Sequence, residues 1–131
     1  MQFERTVDVA LPFEDAVTRT REALASQGFG ILTEIDMEAT LRAKRQVEIG
    51  PYVILGACNP ALAEGAVTAD PRIGVLLPCS VVVRATGPDS CQVHVFDPAL
   101  ISTVTDVDGL TDYADEAGAR IGRALAELAE A

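Results

Sequence analysis

The stretch from Tyr52 to Val83 reads Y-V-I-L-G-A-C-N-P-A-L-A-E-G-A-V-T-A-D-P-R-I-G-V-L-L-P-C-S-V-V-V and carries the sharpest structural signals in the chain. Its opening apolar run, residues 52–57, predicts a short strand that is buried on both faces. Asn59 is a favourable N-cap and a proline suits the first helical position, so we expect a helix from there to about Ala69. The Asp-Pro pair that follows ends this helix, and residues 72–78 fit either an extended segment or a loose turn.

A β-hairpin is predicted from Cys79 onward, where the second apolar run begins. Two runs of β-branched residues, 79–85 and 91–97, flank a five-residue turn. In a symmetric register one face holds four cross-strand pairs, and their apolarity makes it the core face: Cys79 with Asp97, Val81 with Val95, Val83 with Val93, and Ala85 with Cys91. On the other face Ser80, Val82 and Arg84 lie opposite Phe96, His94 and Gln92. We expect the apolar surface of Val82 and Phe96 to contribute to a dimer interface.

The rest of the chain adds two strands and three helices. Strands are predicted at residues 3–10 and 29–35, and helices at 13–27, 37–46 and 109–128. No repeat, linker or low-complexity segment divides the sequence. We therefore expect residues 1–131 to form one α+β domain.

The charge balance and the cysteines exclude several functional classes. The chain has a net charge of −10 and its ten basic residues are scattered, so neither nucleic acid nor a membrane surface is an expected partner. The N-terminus lacks the pattern of a signal peptide, and no apolar run approaches the roughly 18 residues of a membrane span. The three cysteines form no C-x-x-C pair, which indicates reduced thiols and a cytoplasmic location.

The central run G-A-C-N-P-A-L-A-E-G-A-V-T-A-D-P-R-I-G-V-L-L-P-C, residues 56–79, resembles the domain of unknown function family 302. The upstream segment G-F-G-I-L-T-E-I-D-M-E-A-T-L and the downstream F-D-P are similar to the same family's flanking segments. Ser80 departs from the asparagine of the family pattern, and Arg45-Gln46 departs from its Leu-Gly. The resemblance implies a two-layer α+β fold, with a curved, mainly antiparallel sheet of about five strands and helices packed on one face, and a homodimer. It implies no activity and no catalytic residue.

A candidate site lies where the predicted strands meet the helix of the central run. Cys58 precedes the N-terminus of that helix, where free N–H groups and the helix dipole favour a thiolate. Cys79 begins one hairpin strand and Asp97 ends the other, so both lie at one sheet edge, which Cys58 reaches if its strand runs parallel to 91–97. The candidate catalytic residues are therefore Cys58 and Cys79. The candidate ligand-binding residues are Asn59 and Asp97, with Thr33, Glu34 and Asp36 from the end of the second strand.

Three interpretations of this site remain open. The first is a protein that binds a small ligand or depends on a thiol at the Cys58, Asn59 and Cys79 junction. The second is a small redox enzyme in which Cys58 and Cys79 form a disulfide, which requires their Cα atoms to come within about 7 Å. The third is a purely structural or interaction module in which the cysteines are small buried side chains. A structural zinc site requires four ligands, and the junction offers only three suitable side chains, so no metal is predicted. No residue pattern selects a cofactor.

Overall fold

The computed structural model describes residues 2–131. The strands are β1 (Glu4–Val9), β2 (Gly30–Asp36), β3 (Tyr52–Cys58), β4 (Cys79–Gly87) and β5 (Ser90–Phe96). The helices are α1 (Phe13–Ala25), α2 (Met37–Arg45), α3 (Pro60–Ala69), α4 (Ile101–Val104) and α5 (Asp108–Ala129), with short 3-10 helices at Pro71–Leu76 and Pro98–Leu100.

All five strands join one antiparallel sheet in the order β1-β5-β4-β3-β2. The predicted two-layer α+β class is confirmed, because this sheet has helices packed against it. Since β3 and β5 are both antiparallel to β4, they run in the same direction. The ends of β3 and β5 and the beginning of β4 therefore meet at one end of the sheet.

Helices α1 and α5 cover one face of the sheet. The predicted register of the hairpin is confirmed, with Val81 opposite Val95 and Val83 opposite Val93, and all four side chains are buried in the core beneath these helices. The predicted five-residue turn is wrong. β4 continues through an irregularity after Ala85 as far as Gly87, which pairs with Ser90, so only two residues connect the strands.

The opposite face of the sheet, which we call the open face, bears Tyr52, Ile54, Ser80, Val82, Arg84, His94 and Phe96. The prediction that β3 is buried on both faces is wrong, because Tyr52 and Ile54 are only half-buried there. At Gly56 the open face is closely covered: a Cβ atom would lie 2.9 Å from Cγ of Pro78 and would collide with the Thr33 hydroxyl.

A second apolar cluster packs the segment between β3 and β4 against the segment that follows β5. It consists of Ala66, Ile73, Ile101, Leu110 and Ala114, contributed by α3, the first 3-10 helix, α4 and the N-terminal half of α5. The half-buried ring of Phe96, at the end of β5, packs against both this cluster and the main core. The segment that fitted an extended or turn conformation is mostly 3-10 helix, and the short elements at 98–104 were not predicted.

Candidate functional site

The end of the sheet brings together the residues that the sequence singled out at the central run. Ala57 pairs with Cys79 across β3 and β4, so Cys58 at the end of β3 lies beside that row. Asp97 directly follows β5, which ends at the same edge. The parallel direction of β3 and β5, on which the predicted juxtaposition depended, is present.

Cys79 is a buried thiol rather than an exposed nucleophile. Its side chain is in the core, and Sγ lies 3.7 Å from the Phe96 carbonyl oxygen, to which it donates. Burial raises the pKa of Cys79 to about 12, a shift that the nearby Arg5 guanidinium opposes and the Asp97 carboxylate reinforces. A thiol with this pKa is neutral at physiological pH, and the thiolate is the nucleophilic form.

The Asp97 carboxylate already has partners from two elements of the fold. Its Oδ1 accepts a hydrogen bond from the Ala99 backbone N–H at 3.0 Å and forms an ion pair with Nη2 of Arg5 at 3.2 Å. Arg5 in turn donates from Nη1 to the Gly118 carbonyl oxygen of α5 at 3.0 Å. Arg5 was not among the predicted site residues, yet it links β1, the end of β5 and α5 at this point.

Asn59 also makes structural contacts with both ends of its amide. Oδ1 accepts from the Leu62 backbone N–H at 3.3 Å, which is the predicted N-cap of α3. Nδ2 donates to the Gln27 carbonyl oxygen at 3.4 Å, and Nη1 of Arg120 donates to the same oxygen at 3.2 Å. The side chain is 7% exposed, so little of it can reach a ligand.

Cys58 is half-buried and is a free cysteine, as are the other two. Alternation along β3 places Ala57 on the helix-covered face with Cys79 and gives Cys58 the opposite orientation, which does not favour a disulfide between Cys58 and Cys79. Within residues 2–131 no three His, Cys, Asp or Glu side chains are grouped so that they could hold a metal ion.

Tyr113 of α5 is a neighbour of these thiols that was not among the predicted site residues. Burial raises the pKa of its phenol to about 12, with smaller contributions from Cys79 and Cys58. The ring also lines a groove of about 400 Å³ between α3 and α5, beside Asp112 and Glu116.

Of the three residues expected from the end of β2, Thr33 lies near the cysteine end of the sheet, and Glu34 and Asp36 lie away from it. β2 is antiparallel to β3, so Asp36 pairs with Val53 at the far end of the sheet, where its carboxylate caps α2. Glu34 forms an ion pair with Arg21 of α1 at 2.9 Å. Thr33 lies over Gly56 on the open face. The sequence could not reveal this, because it does not give the direction of β2 relative to β3.

A groove lies elsewhere, on the open face. It has a volume of about 520 Å³, and we call it the open-face groove; it is lined by Phe3, Glu4, Tyr52, Ser80, Val82, Arg84, His94 and Phe96. A second depression of about 310 Å³ shares Ser80 and Phe96 with it and continues past Val75, Leu76, Leu77 and Pro78. The sequence placed Val82, His94 and Phe96 together on this face but not the residues contributed by the other strands.

Comparison with known proteins identifies the family. A crystal structure of an uncharacterized conserved protein DUF302 from Bacillus stearothermophilus superimposes with a TM-score of 0.86 and 27% sequence identity, covering 98% of this chain and 99% of that one. No curated protein matches the chain. None of the helices in residues 2–131 is both long and apolar enough to span a membrane. The sequence profile of the domain of unknown function DUF302 matches residues 5–128, and the chain therefore belongs to the DUF302 family.

Proposed function

We propose that this protein binds a small, largely apolar molecule in the open-face groove. The observation that carries the proposal is the groove itself, whose volume of about 520 Å³ is within the range of small-molecule sites. Three aromatic rings, Phe3, Tyr52 and Phe96, and the Val82 side chain line it, with a few polar groups among them. Apolar walls with few, fixed polar groups are typical of sites that bind small molecules.

The open-face groove supports ligand binding better than the junction at Cys58, Asn59 and Cys79. At the junction Asn59 and Asp97 already have protein partners, and the Cys79 thiol is buried and neutral. In the groove the Tyr52 and Ser80 hydroxyls make no hydrogen bond to another side chain among the contacts of residues 2–131. Free polar groups beside apolar walls are what a ligand requires.

The test uses 1-anilinonaphthalene-8-sulfonate, which becomes fluorescent in apolar sites. We expect saturable binding to the wild type and its loss in Val82→Asp, because an aspartate places a charge on the floor of the groove. Val67→Asp is the matched control, since Val67 is an exposed valine of α3 that does not line the groove. Phe3→Ser, at a 64% exposed position, is the second variant and is expected to weaken binding without affecting the fold. Unchanged binding in both groove variants would overturn the proposal.

A homodimer is the second candidate role of the open face. It is favoured by the half-buried positions of Val82 and Phe96, whose apolar surface a second copy of the chain would cover. Light scattering after size exclusion separates the two candidates. A dimer that Val82→Asp dissociates, together with absence of dye binding to the wild type, would favour the interaction module over the binding protein.

Thiol chemistry at Cys58, with Cys79 as its partner, is the remaining proposal for the junction. The half-buried position of Cys58 before the N-cap of α3 supports access to its thiol. The high pKa of Cys79 and the opposite orientations along β3 and β4 favour a role for Cys58 alone. Reaction of Cys58 with iodoacetamide at about pH 6–7 that is no faster than that of free cysteine would overturn this proposal.

A further inference from the structure

Arg84 is a cation of the open-face groove that has no carboxylate partner within the described part of the chain. It lies half-buried on β4. Among residues 2–131, the ion pairs of arginine with Asp or Glu involve Arg5, Arg19, Arg21, Arg42, Arg72 and Arg120. In a chain with 20 acidic residues and ten basic ones, a half-buried guanidinium without an acid is an exception that a ligand could explain.

Neutral side chains hold the Arg84 guanidinium in place. Nε donates to Nε2 of His94 at 3.0 Å, and Nη2 donates to Oε1 of Gln92. Because His94 accepts at Nε2, its ring hydrogen is assigned to Nδ1. This Nδ1 lies 2.7 Å from the Thr6 hydroxyl, which itself donates to Oε2 of Glu4, and 3.3 Å from that same Oε2. The Gln92 amide is fixed in turn by donating to Oδ1 of Asp8 at 2.9 Å.

This network orients the guanidinium while leaving it free to bind an anion. The two acceptors of Arg84 are themselves anchored by carboxylates of β1, His94 by Glu4 and Gln92 by Asp8. The guanidinium is therefore restrained before any ligand binds. Its Nη1 has no hydrogen-bond partner among the contacts of the described residues. A preorganised donor loses less conformational entropy on binding than a mobile surface arginine.

We propose that Arg84 recognises a carboxylate, and that the ligand of the open-face groove is an apolar or aromatic monocarboxylic acid. This inference rests on the proposed function. The guanidinium geometry matches a carboxylate, and the apolar walls match the body of such a molecule. Glu4 lines the same groove and the chain has a net charge of −10, so ligands with several negative charges, such as nucleotides, are disfavoured.

The depression beyond Phe96 gives the apolar body of the acid a direction. Its additional walls are formed by Val75, Leu76, Leu77 and Pro78, none of them charged. A carboxylate bound at Arg84 would leave the rest of the molecule to extend past Val82 and Phe96 toward these residues. The expected ligand therefore has its single charge at one end.

The experiment compares 2-naphthoate with 2-naphthamide, a neutral analogue of almost the same shape, by isothermal titration calorimetry. We expect the wild type to bind the acid at least about tenfold tighter than the amide. This difference in affinity is the effect of one charge-assisted hydrogen bond. Arg84→Met should remove this preference while keeping the affinity for the amide. Arg45→Met is the matched control, because Arg45 is an exposed arginine of α2 away from the groove. Arg84→Lys, which keeps the charge without the fork, should give an intermediate preference.

The outcomes distinguish this inference from the proposed function. Equal binding of acid and amide to the wild type would overturn carboxylate recognition and leave the open-face groove as a binding site. A preference for the acid that persists in Arg84→Met would also overturn it, since another group would then bind the charge. Binding of neither probe would overturn the inference, and it would overturn the proposed function as well only if the wild type also fails to bind the dye. A dimer that Val82→Asp dissociates would then identify a second copy as the occupant. Circular dichroism of each variant confirms that it is folded.

Discussion

Replacing Asn59 by alanine should destabilise the fold and leave ligand binding unchanged. The substitution removes two contacts: the cap of α3, in which Oδ1 lies 3.3 Å from the Leu62 backbone nitrogen, and the hydrogen bond from Nδ2 to the Gln27 carbonyl oxygen at 3.4 Å. The first contact closes the beginning of α3, and the second fastens it to the segment that follows α1. They are also the contacts that make a ligand-binding role for this amide unnecessary.

The expected magnitude follows from these two contacts. Loss of an asparagine N-cap typically costs about 1 kcal/mol. The second hydrogen bond contributes about 0.5 kcal/mol, at the low end of the usual range because it is long. The Gln27 carbonyl oxygen is not left without a partner, since Nη1 of Arg120 still donates to it at 3.2 Å. We therefore expect Asn59→Ala to lower the free energy of unfolding by about 1.5 kcal/mol.

Urea unfolding measures this change, and Asn59→Ser separates its two parts. The serine hydroxyl oxygen can cap α3, but serine has no amide to donate to the Gln27 carbonyl oxygen, so we expect this variant to keep about 1 kcal/mol of the stability that Asn59→Ala loses. A loss below about 0.3 kcal/mol in Asn59→Ala would refute the structural role, since a lost cap alone exceeds that value. Normal stability with abolished binding of 2-naphthoate would show instead that Asn59 contacts the ligand.

Three further predictions concern other contacts of the structure. In the native protein iodoacetamide should modify Cys58 much faster than Cys79, because the Cys79 thiol is buried and has a pKa of about 12. Peptide mass spectrometry measures the two rates, and equal rates would contradict the burial of Cys79. The hydrogen bond from Arg72 holds the pKa of Asp70 at about 2, below its ordinary 3.8. Between these two pH values the unfolded chain binds more protons than the folded one. The free energy of unfolding should therefore fall as the pH drops from 3.8 to about 2. The urea midpoint of Asp70→Asn should fall less over the same window, and an equal fall would refute the assignment. Arg5→Met should lower the free energy of unfolding by about 1 kcal/mol, because its partly exposed ion pair is screened by solvent, and addition of salt should narrow the difference from the wild type.

Local signals made much of the fold predictable. The bounds of α3 follow from Asn59, the proline after it and the Asp-Pro pair at its end, and the structure begins and ends this helix at Pro60 and Ala69. The register of β4 with β5 follows from the apolar alternation, because a shift by one residue would expose the whole core face. Both features depend on residues that are close in the sequence.

Features that depend on distant segments were not predictable. The Tyr52–Cys58 run is apolar at every position, and nothing in it shows that Tyr52 and Ile54, on one side, are only half-buried. Glu34 and Asp36 were assigned to the wrong part of the sheet because the direction of β2 relative to β3 depends on the connection through α2. The five-residue turn was too long because the pairing continues past the irregularity in β4, which its sequence does not mark.

The same contrast explains why the sequence drew attention to the junction rather than to the open-face groove. Cysteine, asparagine and proline in a row form a conspicuous motif. The structure accounts for it, because a helix that begins against the end of a sheet requires small residues and a cap there. The groove instead takes alternate residues from β1, β3, β4 and β5, a pattern that any half-exposed sheet produces. What distinguishes Arg84 is the absence of an acid beside it, and this becomes visible only when the carboxylates of residues 2–131 have been placed. A binding site of this kind is defined by an unbalanced charge in space, so its residues carry no signal along the chain.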